Sequence, residues 1–384
     1  MTGAADRPLR VLVGMPFGEA RGGAERFLRL VAERAAEHGL ELHVVLHQEG
    51  PLARELEAAG VETSLVPLGR FRQLGAGLRA LLALRRLMRA WRPDLVFSWL
   101  TRSHVYLAPA AALAGIPRRR VAWWQHHTPR DELLSRIATL VPAAAVFCAS
   151  EAVAREQRGL WPRRRTIVAH CGIADPGEMA AEELEALRAR LGIPPGRAVV
   201  GLPGRLVRWK GQDRFLRAVA RLRDEGRDVH ALVVGGTGHG LDADFEPELR
   251  ALADELGLAE RTTFTGHVAD PLPYLRLMDV LVNASVGEPF GLTLLEAQAL
   301  GVPAVAVAEG GPLEIIEHGE SGWLVPSGEP GALAEGIAAV LDDPALARRL
   351  SAGGRRSYET RFTAEASVAR VAEAMRSVVA PAGP

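Results

Sequence analysis

Ala198-Val199-Val200-Gly201-Leu202-Pro203-Gly204-Arg205-Leu206-Val207-Arg208-Trp209-Lys210-Gly211-Gln212 reads as a buried strand, a glycine turn, two cations and the start of a helix. An unbroken apolar run of this length belongs to a parallel sheet covered on both faces, where alternation is lost. The same pattern opens the chain: strand Leu9–Val13, a glycine-rich loop over Gly14–Glu25, and a helix near Ala24–His38. Working outward, strands fall at Leu42–Leu46, Val61–Val66, Leu95–Ser98, Val121–Trp124, Ala143–Cys148 and Thr166–Ala169. Helices lie between them at Leu52–Ala59, Leu78–Arg92 and Val105–Ala114. After Ala198–Leu202 come strands at Ala231–Val234, Thr262–Thr265, Val280–Ala284 and Val302–Ala306. This βα alternation predicts an α/β fold of two doubly wound, Rossmann-like domains. They are expected over residues 1–175 and 176–360, with a hinge near 172–196 that holds an acidic helix, Ala180–Leu191, and the break Pro194-Pro195-Gly196. An amphipathic last helix, near 364–380, could pack on either domain.

A length of 384 residues suits two ordinary domains. With 48% hydrophobic and 24% charged residues the composition is that of a soluble globular protein. Met1–Arg10 is polar, and the apolar stretches near Leu107–Pro117 and Ile137–Ser150 fall short of a membrane span, so neither secretion nor membrane insertion is expected. Two cysteines, Cys148 and Cys171, make no disulfide framework and read as buried thiols, which fits the cytoplasm. Net charge is zero but uneven, +8 over residues 1–178 and −8 over 179–384. A basic front half suits an anionic acceptor or membrane surface, and equally a solvated face with no partner. The chain holds one lysine, Lys210, against 45 arginines. A compact ammonium kept at one place suits a phosphate, where a wide guanidinium fits less well.

Ligands of open parallel sheets sit beyond the carboxyl ends of the strands, so the loops there carry the chemistry. Arg205 and Lys210 lie at a strand's carboxyl end beside a helix N-terminus, an anion site by charge and by dipole. Val280–Ala284 runs through Ser285-Val286-Gly287-Glu288-Pro289-Phe290-Gly291 into a helix carrying Glu296 about one turn in. Both carboxylates can approach that helix N-terminus and bind hydroxyls on either side of a diphosphate. A glycosidase acid/base pair is another use of two carboxylates, and Glu296 could equally be a solvated helix residue. The first loop lacks Gly-x-Gly-x-x-Gly spacing, and Leu42–Leu46 runs on into His47-Gln48-Glu49 without the usual ribose-binding acid, so NAD binding is disfavoured.

Glu288-x7-Glu296, the Gly204-Arg205-Leu206…Lys210-Gly211 segment and the Gly22-Gly23-Ala24-Glu25 loop together resemble the family-4 retaining glycosyltransferases of GT-B fold. The resemblance spans most of the chain. It implies two Rossmann-like domains facing a central cleft, and transfer of a sugar from a nucleoside-diphosphate donor with retention of configuration. No cofactor and no metal are implied. Arg205 and Lys210 match the pair that grips the donor diphosphate, Glu288 the carboxylate near the sugar hydroxyls, and Glu296 the one near the ribose. Amides of Phe290, Gly291 and Leu292 would touch sugar or phosphate. Gly266-His267-Val268 resembles the segment against the base, and Gly235-Gly236-Thr237-Gly238 the glycine-rich loop. Gly22, Gly23, Gly204 and Gly236 then belong to the donor site. In similar enzymes a histidine follows the strand that here ends Trp123-Trp124-Gln125-His126-His127-Thr128 and lies near the anomeric carbon. His127 is the choice and His126 the rival. The family's Asn-Gly-Ile-Asp reads Cys171-Gly172-Ile173-Ala174 here, a departure that bears on the hinge.

No second nucleophile is visible, which favours front-side displacement with the acceptor hydroxyl and leaving diphosphate on one side. The expected partners are a nucleotide-sugar donor and a glycan, lipid-linked or small-molecule acceptor of cell-envelope or exopolysaccharide synthesis; no nucleic acid is expected. Leu78–Arg92 mixes leucines with arginines. Such a helix suits peripheral contact with the inner membrane face, and suits better a crossover helix with its apolar side on the sheet. A nucleotide-sugar epimerase on the same scaffold and a non-catalytic nucleotide-sugar-binding protein are the other readings.

Overall fold

The computed structural model describes residues 7–19, 22–69, 74–129, 133–237 and 242–380. Ala20, Arg21 and Gly238 of the glycine-rich loops lie outside the described residues. The chain divides into two compact units, Met1–Ile173 with Ala364–Pro384, and Ala174–Thr363.

The first unit carries seven strands, β1 (Leu9–Met15), β2 (Leu40–Leu46), β3 (Glu62–Leu65), β4 (Leu95–Ser98), β5 (Val121–Gln125), β6 (Ala145–Cys148) and β7 (Thr166–Val168). They form one sheet in the order β3-β2-β1-β4-β5-β6-β7, every pair parallel. Val11 stands opposite Leu42 on one side and Leu95 on the other, which makes β1 an interior strand. Strands β4, β5 and β6 are buried along their whole length, so both faces need cover. Right-handed crossovers place Gly23–Arg34 and Leu52–Ala58 on one face and Leu74–Trp91, Thr101–Ala114, Leu133–Leu140 and Glu151–Gly159 on the other. The last helix, Ala364–Val379, packs on Gly23–Arg34, with Glu365 3.6 Å from Arg34.

The second unit repeats the plan with β8 (Ala198–Pro203), β9 (Val229–Val234), β10 (Thr262–Phe264), β11 (Val280–Asn283), β12 (Ala304–Val307) and β13 (Trp323–Val325), in the parallel order β10-β9-β8-β11-β12-β13. In each sheet the winding reverses at the first strand. The crevice beyond β1 and β4, and the one beyond β8 and β11, are therefore the topological switch points.

Among the elements that go beyond the sequence reading are the helices Leu133–Leu140, Glu151–Gly159, Pro330–Asp342 and Pro344–Arg361, and β13. The first helix is short and leaves apolar side chains outside, so no clean periodicity marks it. Strand β13 is three residues long and only its last is buried. The opening helix ends at Arg34 rather than His38, because the chain turns back into β2 through Gly39 at φ +63°. Cys148 and Cys171 are both buried free thiols, and burial pushes the Cys148 thiol up to about 12.

The core of the first unit centres on an aromatic cluster at the carboxyl ends of β4 and β5. Trp99 and Trp124 lie 4.9 Å apart, Phe97 meets Phe147 at 4.9 Å edge-on, and Phe27 meets Trp124 edge-on at 5.6 Å. All five are buried. Replacing Trp124 by Ala removes the ring that touches the other four. It is expected to cost about 3–5 kcal/mol, read as a lower denaturant midpoint for the transition reporting this unit.

Candidate functional site

The switch point of the second unit gathers two loops. After β8 the chain passes through Gly204 and Arg205 to a short 3-10 turn, Arg208–Lys210, and then the helix Gln212–Asp224, entered through Gly211 at φ +76°. After β11 it passes through Ser285 and Glu288 to the helix Leu292–Leu300, entered through Gly291 at φ +109°. Sheet order sets β8 beside β11, so residues 78 apart in sequence meet: Lys210 Nζ donates to Glu288 Oε2 at 2.5 Å.

Both partners are largely withdrawn from water, with side-chain exposures of 15% for Lys210 and 7% for Glu288. Asn283 Nδ2 donates to the same Glu288 oxygen at 3.4 Å. The Asn283 side-chain oxygen accepts the Ser285 amide at 3.1 Å, which holds the first turn of the loop. Burial pushes the Glu288 carboxyl up. The Lys210 charge and hydrogen bond, with those of Ser285 and Asn283, outweigh it and leave the carboxyl below its ordinary value. Glu288 is thus an anion, and Lys210, also 4.3 Å from the Trp209 ring, is a cation with two further protons to offer.

The loops are fixed by backbone contacts that leave no room for side chains. A Cβ on Gly235, at φ +134°, would collide with the Gly204 carbonyl. Gly204 N donates to Val234 O at 2.8 Å and Leu206 N to Gly236 O at 3.1 Å, so the Arg205 loop is stitched to the end of β9. A Cβ on Gly310, at φ +72°, would collide with the Glu288 carbonyl, which accepts the Gly311 amide at 2.8 Å. Gln212 Nε2 donates to Arg205 O at 2.8 Å. Asn283, Gln212 and the Gly310–Gly311 turn were not singled out from the sequence. The adjacent glycines after β12, at the next strand's carboxyl end, were the available signal.

The other residues that the sequence reading expects at a donor site distribute as follows. The Arg205 side chain is exposed and makes no hydrogen bond or ion pair among the described residues. Glu296 is buried, so it is not a solvated helix residue. Phe290 and Gly291 are buried and Leu292 opens the helix, with the helix amides directed to the same crevice. The amide of His267 lies close enough to Gly236 that a Cβ there would sit at 2.8 Å, so His267 and Val268 flank the glycine loop. They also line a groove of about 770 Å³ against the helix Ala181–Arg190. That groove contains neither Lys210 nor Glu288 and is set apart from the charged pair.

At the switch point of the first unit, Gly22 caps the helix Gly23–Arg34 in extended conformation, and Trp99 Nε1 donates to Ala24 O at 2.8 Å. The two histidines after β5 separate. The His126 ring stacks on Trp124 at 4.9 Å and tilts on Trp99 at 5.8 Å, and burial lowers its pKa to about 3. It is a neutral member of the aromatic cluster. His127 is half-buried, and its carbonyl accepts Gln125 Nε2 at 2.8 Å, with Gln125 in turn bonded to Thr101 and Ser135. Among the described residues, the one trio of close metal-ligating side chains is Glu37, His38 and Glu365, at the surface of the first unit. Glu288 already faces the Lys210 ammonium.

Known proteins resemble this chain along its length. Residues 21–175 match the description Glycosyltransferase Family 4, and residues 184–357 match Glycosyl transferases group 1. The lipopolysaccharide core biosynthesis glycosyltransferase LpsD of Rhizobium meliloti is 30% identical, covering 91% of this chain and 93% of that protein. The D-inositol 3-phosphate glycosyltransferase of Thermobispora bispora is 30% identical over 92% of this chain and 89% of its own. Anabaena HepE, solved in complex with UDP-glucose, superposes with a TM-score of 0.85 at 26% identity, covering 96% of this chain and all of the other.

The buried pair makes a stability prediction. Lys210→Met leaves the Glu288 carboxylate buried without its cation and is expected to cost about 3–5 kcal/mol. The double variant Lys210→Met, Glu288→Gln should recover most of that loss in denaturant unfolding. Because the folded carboxyl is held low, the pair's contribution is full above the ordinary value near 4.5 and is lost as pH falls through the lower folded value. The wild-type minus double-variant difference should therefore shrink on acidification.

Proposed function

This chain belongs to the family-4, group 1 glycosyltransferases of GT-B fold, and we propose that it moves a sugar from a nucleoside-diphosphate donor to a hydroxyl acceptor with retention of configuration. The observation that carries the reading is the Lys210–Glu288 pair at the β8/β11 switch point, beside the unpaired Arg205. One ammonium proton goes to Glu288; the other two, with Arg205 and the amides of Gly291 and Leu292, suit the oxygens of a diphosphate. Glu288, kept ionised, accepts from sugar hydroxyls, and Glu296, one turn into the helix, accepts from the ribose. The base lies by Gly266, His267 and Val268, next to Gly236. By the family resemblance His127 is the histidine assigned to the donor sugar, and Gln125 holds its backbone.

In the step itself the bond between the anomeric carbon and the diphosphate oxygen breaks as the acceptor oxygen bonds that carbon from the same side. The acceptor proton passes to the departing diphosphate. Lys210, Arg205 and the helix amides stabilise the charge that builds there, so no metal is required. The UDP-glucose bound to HepE supports a uridine diphosphate hexose as the first donor to test. LpsD, named for lipopolysaccharide core biosynthesis, supports a glycan or lipid-linked acceptor of the cell envelope.

The first test is thermal stabilisation by UDP-, GDP-, ADP- and TDP-sugars. A donor at about 100 times its Kd should add roughly 2.7 kcal/mol and raise Tm for one nucleotide. Lys210→Ala should abolish the shift. A Tm unmoved by every nucleotide sugar would remove the donor assignment. Once an acceptor is found, NMR of the product decides the stereochemistry; inversion at the anomeric carbon would exclude retention.

A further inference from the structure

Strand β5 is buried along its whole length, and its last residue, Gln125, is its one polar member, at 0% exposed. A buried amide costs free energy unless its donors and its acceptor find partners. Those of Gln125 do. Its Nε2 donates to His127 O at 2.8 Å and to Ser135 Oγ at 3.1 Å, and its Oε1 accepts from Thr101 Oγ1 at 3.1 Å. The His127 carbonyl can only accept, so the amide nitrogen must face it, and the orientation of the side chain is fixed. Each partner lies on a different element: the loop after β5, the helix Leu133–Leu140, and the helix Thr101–Ala114 that follows β4.

The bonds continue away from the loop. Thr139 Oγ1 donates to Ser135 O at 2.8 Å, and Gln157 Nε2 donates to Thr139 Oγ1 at 2.9 Å. Ser135, Thr139 and Gln157 are all fully buried. A buried polar network of this kind is satisfied only with its members in place, which makes it rigid. It is anchored on the helices Leu133–Leu140 and Glu151–Gly159, and its other end is one backbone carbonyl, that of His127. Packing alone does not account for the amide. The other residues of β5 are Val, Ala and Trp, and a leucine at position 125 would fill similar space without needing three partners.

Alternation along the strand sends Trp124 and His126 to one face, where their rings stack at 4.9 Å. It sends Trp123 and Gln125 to the other, where Trp123 belongs to the same apolar cluster as Ala138. The pairing of β5 with β6 ends at Gln125, opposite Cys148. Two residues on, the His127 carbonyl is taken by the Gln125 side chain instead of a neighbouring strand. That bond closes a turn, and the turn ends the alternation between the two histidines. We propose that Gln125 is a positioning residue for sugar transfer: held by Thr101 and Ser135, its amide sets the place of His127 at the donor sugar. This rests on the assignment of His127 to that sugar.

The test uses the full chain, with UDP-glucose as the probe. Gln125→Met nearly keeps the length of the side chain and removes all three bonds. Its kcat for UDP release should fall about 10–100-fold, the cost of displacing a reacting group by about 1 Å. The Tm shift given by UDP should stay at the wild-type value, because Lys210 and Arg205 still hold the diphosphate. Thr101→Val frees one end of the amide and should lose less, and Thr101→Ser, which keeps the hydroxyl, should restore the rate. On a His127→Ala background, Gln125→Met should lower kcat by less than about twofold, whereas a network serving stability alone would give one factor on both backgrounds. Equal factors would overturn the proposal, as would a wild-type rate for folded Gln125→Met beside a slow His127→Ala. A wild-type rate for His127→Ala would instead remove the assignment of His127 itself. Crystals of Gln125→Met decide without any donor: His127 should be displaced with His126 still stacked on Trp124, and an unmoved His127 would overturn the proposal. Should Gln125→Met not fold, the Thr101→Val and Thr101→Ser pair carries the same comparison.

Discussion

Lys210 and Glu288 bring opposite charges to 2.5 Å at a place where little of either is left in water. Desolvating two such ions costs several kcal/mol each, and attraction returns this only when geometry and further hydrogen bonds are good. Three loops of the second unit bear on that condition. The Arg205 loop is stitched to β9, the Glu288 loop is clasped by Gly310 and Gly311, and Asn283 bonds both Glu288 and the turn behind it. The parallel sheet makes the meeting possible by setting β8 beside β11. A charge pair held this rigidly keeps a cation at a fixed point beside a helix N-terminus, which is what binding a diphosphate requires.

The first unit solves a different problem with different means. Its switch point is built on packed rings rather than charge: Trp99, Trp124 and His126 lie against one another, and Trp99 also ties down the first helix through Ala24. Burial keeps the His126 ring neutral, so the cluster carries no net charge of its own. The polar work passes to Gln125, which holds the His127 backbone. The outer helices of the same unit, by contrast, are rich in arginine.

The two α/β units and the loops after their strands were legible in the sequence, because apolar runs and glycine turns are local signals that a parallel sheet cannot do without. The Arg205–Lys210 and Glu288–Glu296 segments stood out for the same reason: each follows a strand and opens a helix. Less was legible where the determinant is distant. Nothing local in Gln212 announces a bond to the Arg205 carbonyl, and nothing in Gly310 announces that Glu288 lies against it. The helix Leu133–Leu140 was missed because its leucines face outward, against the usual pattern.

The sequence alone therefore determined the element types, the two-unit plan and the residues with chemical means, since composition and periodicity are properties of neighbours along the chain. Only the tertiary structure decided that Lys210 and Glu288 touch, that Glu296 is buried, and that His126 is spent on the aromatic cluster. Those facts depend on which strands lie side by side and on what each side chain loses in leaving water, and both are set by contacts between segments far apart in sequence.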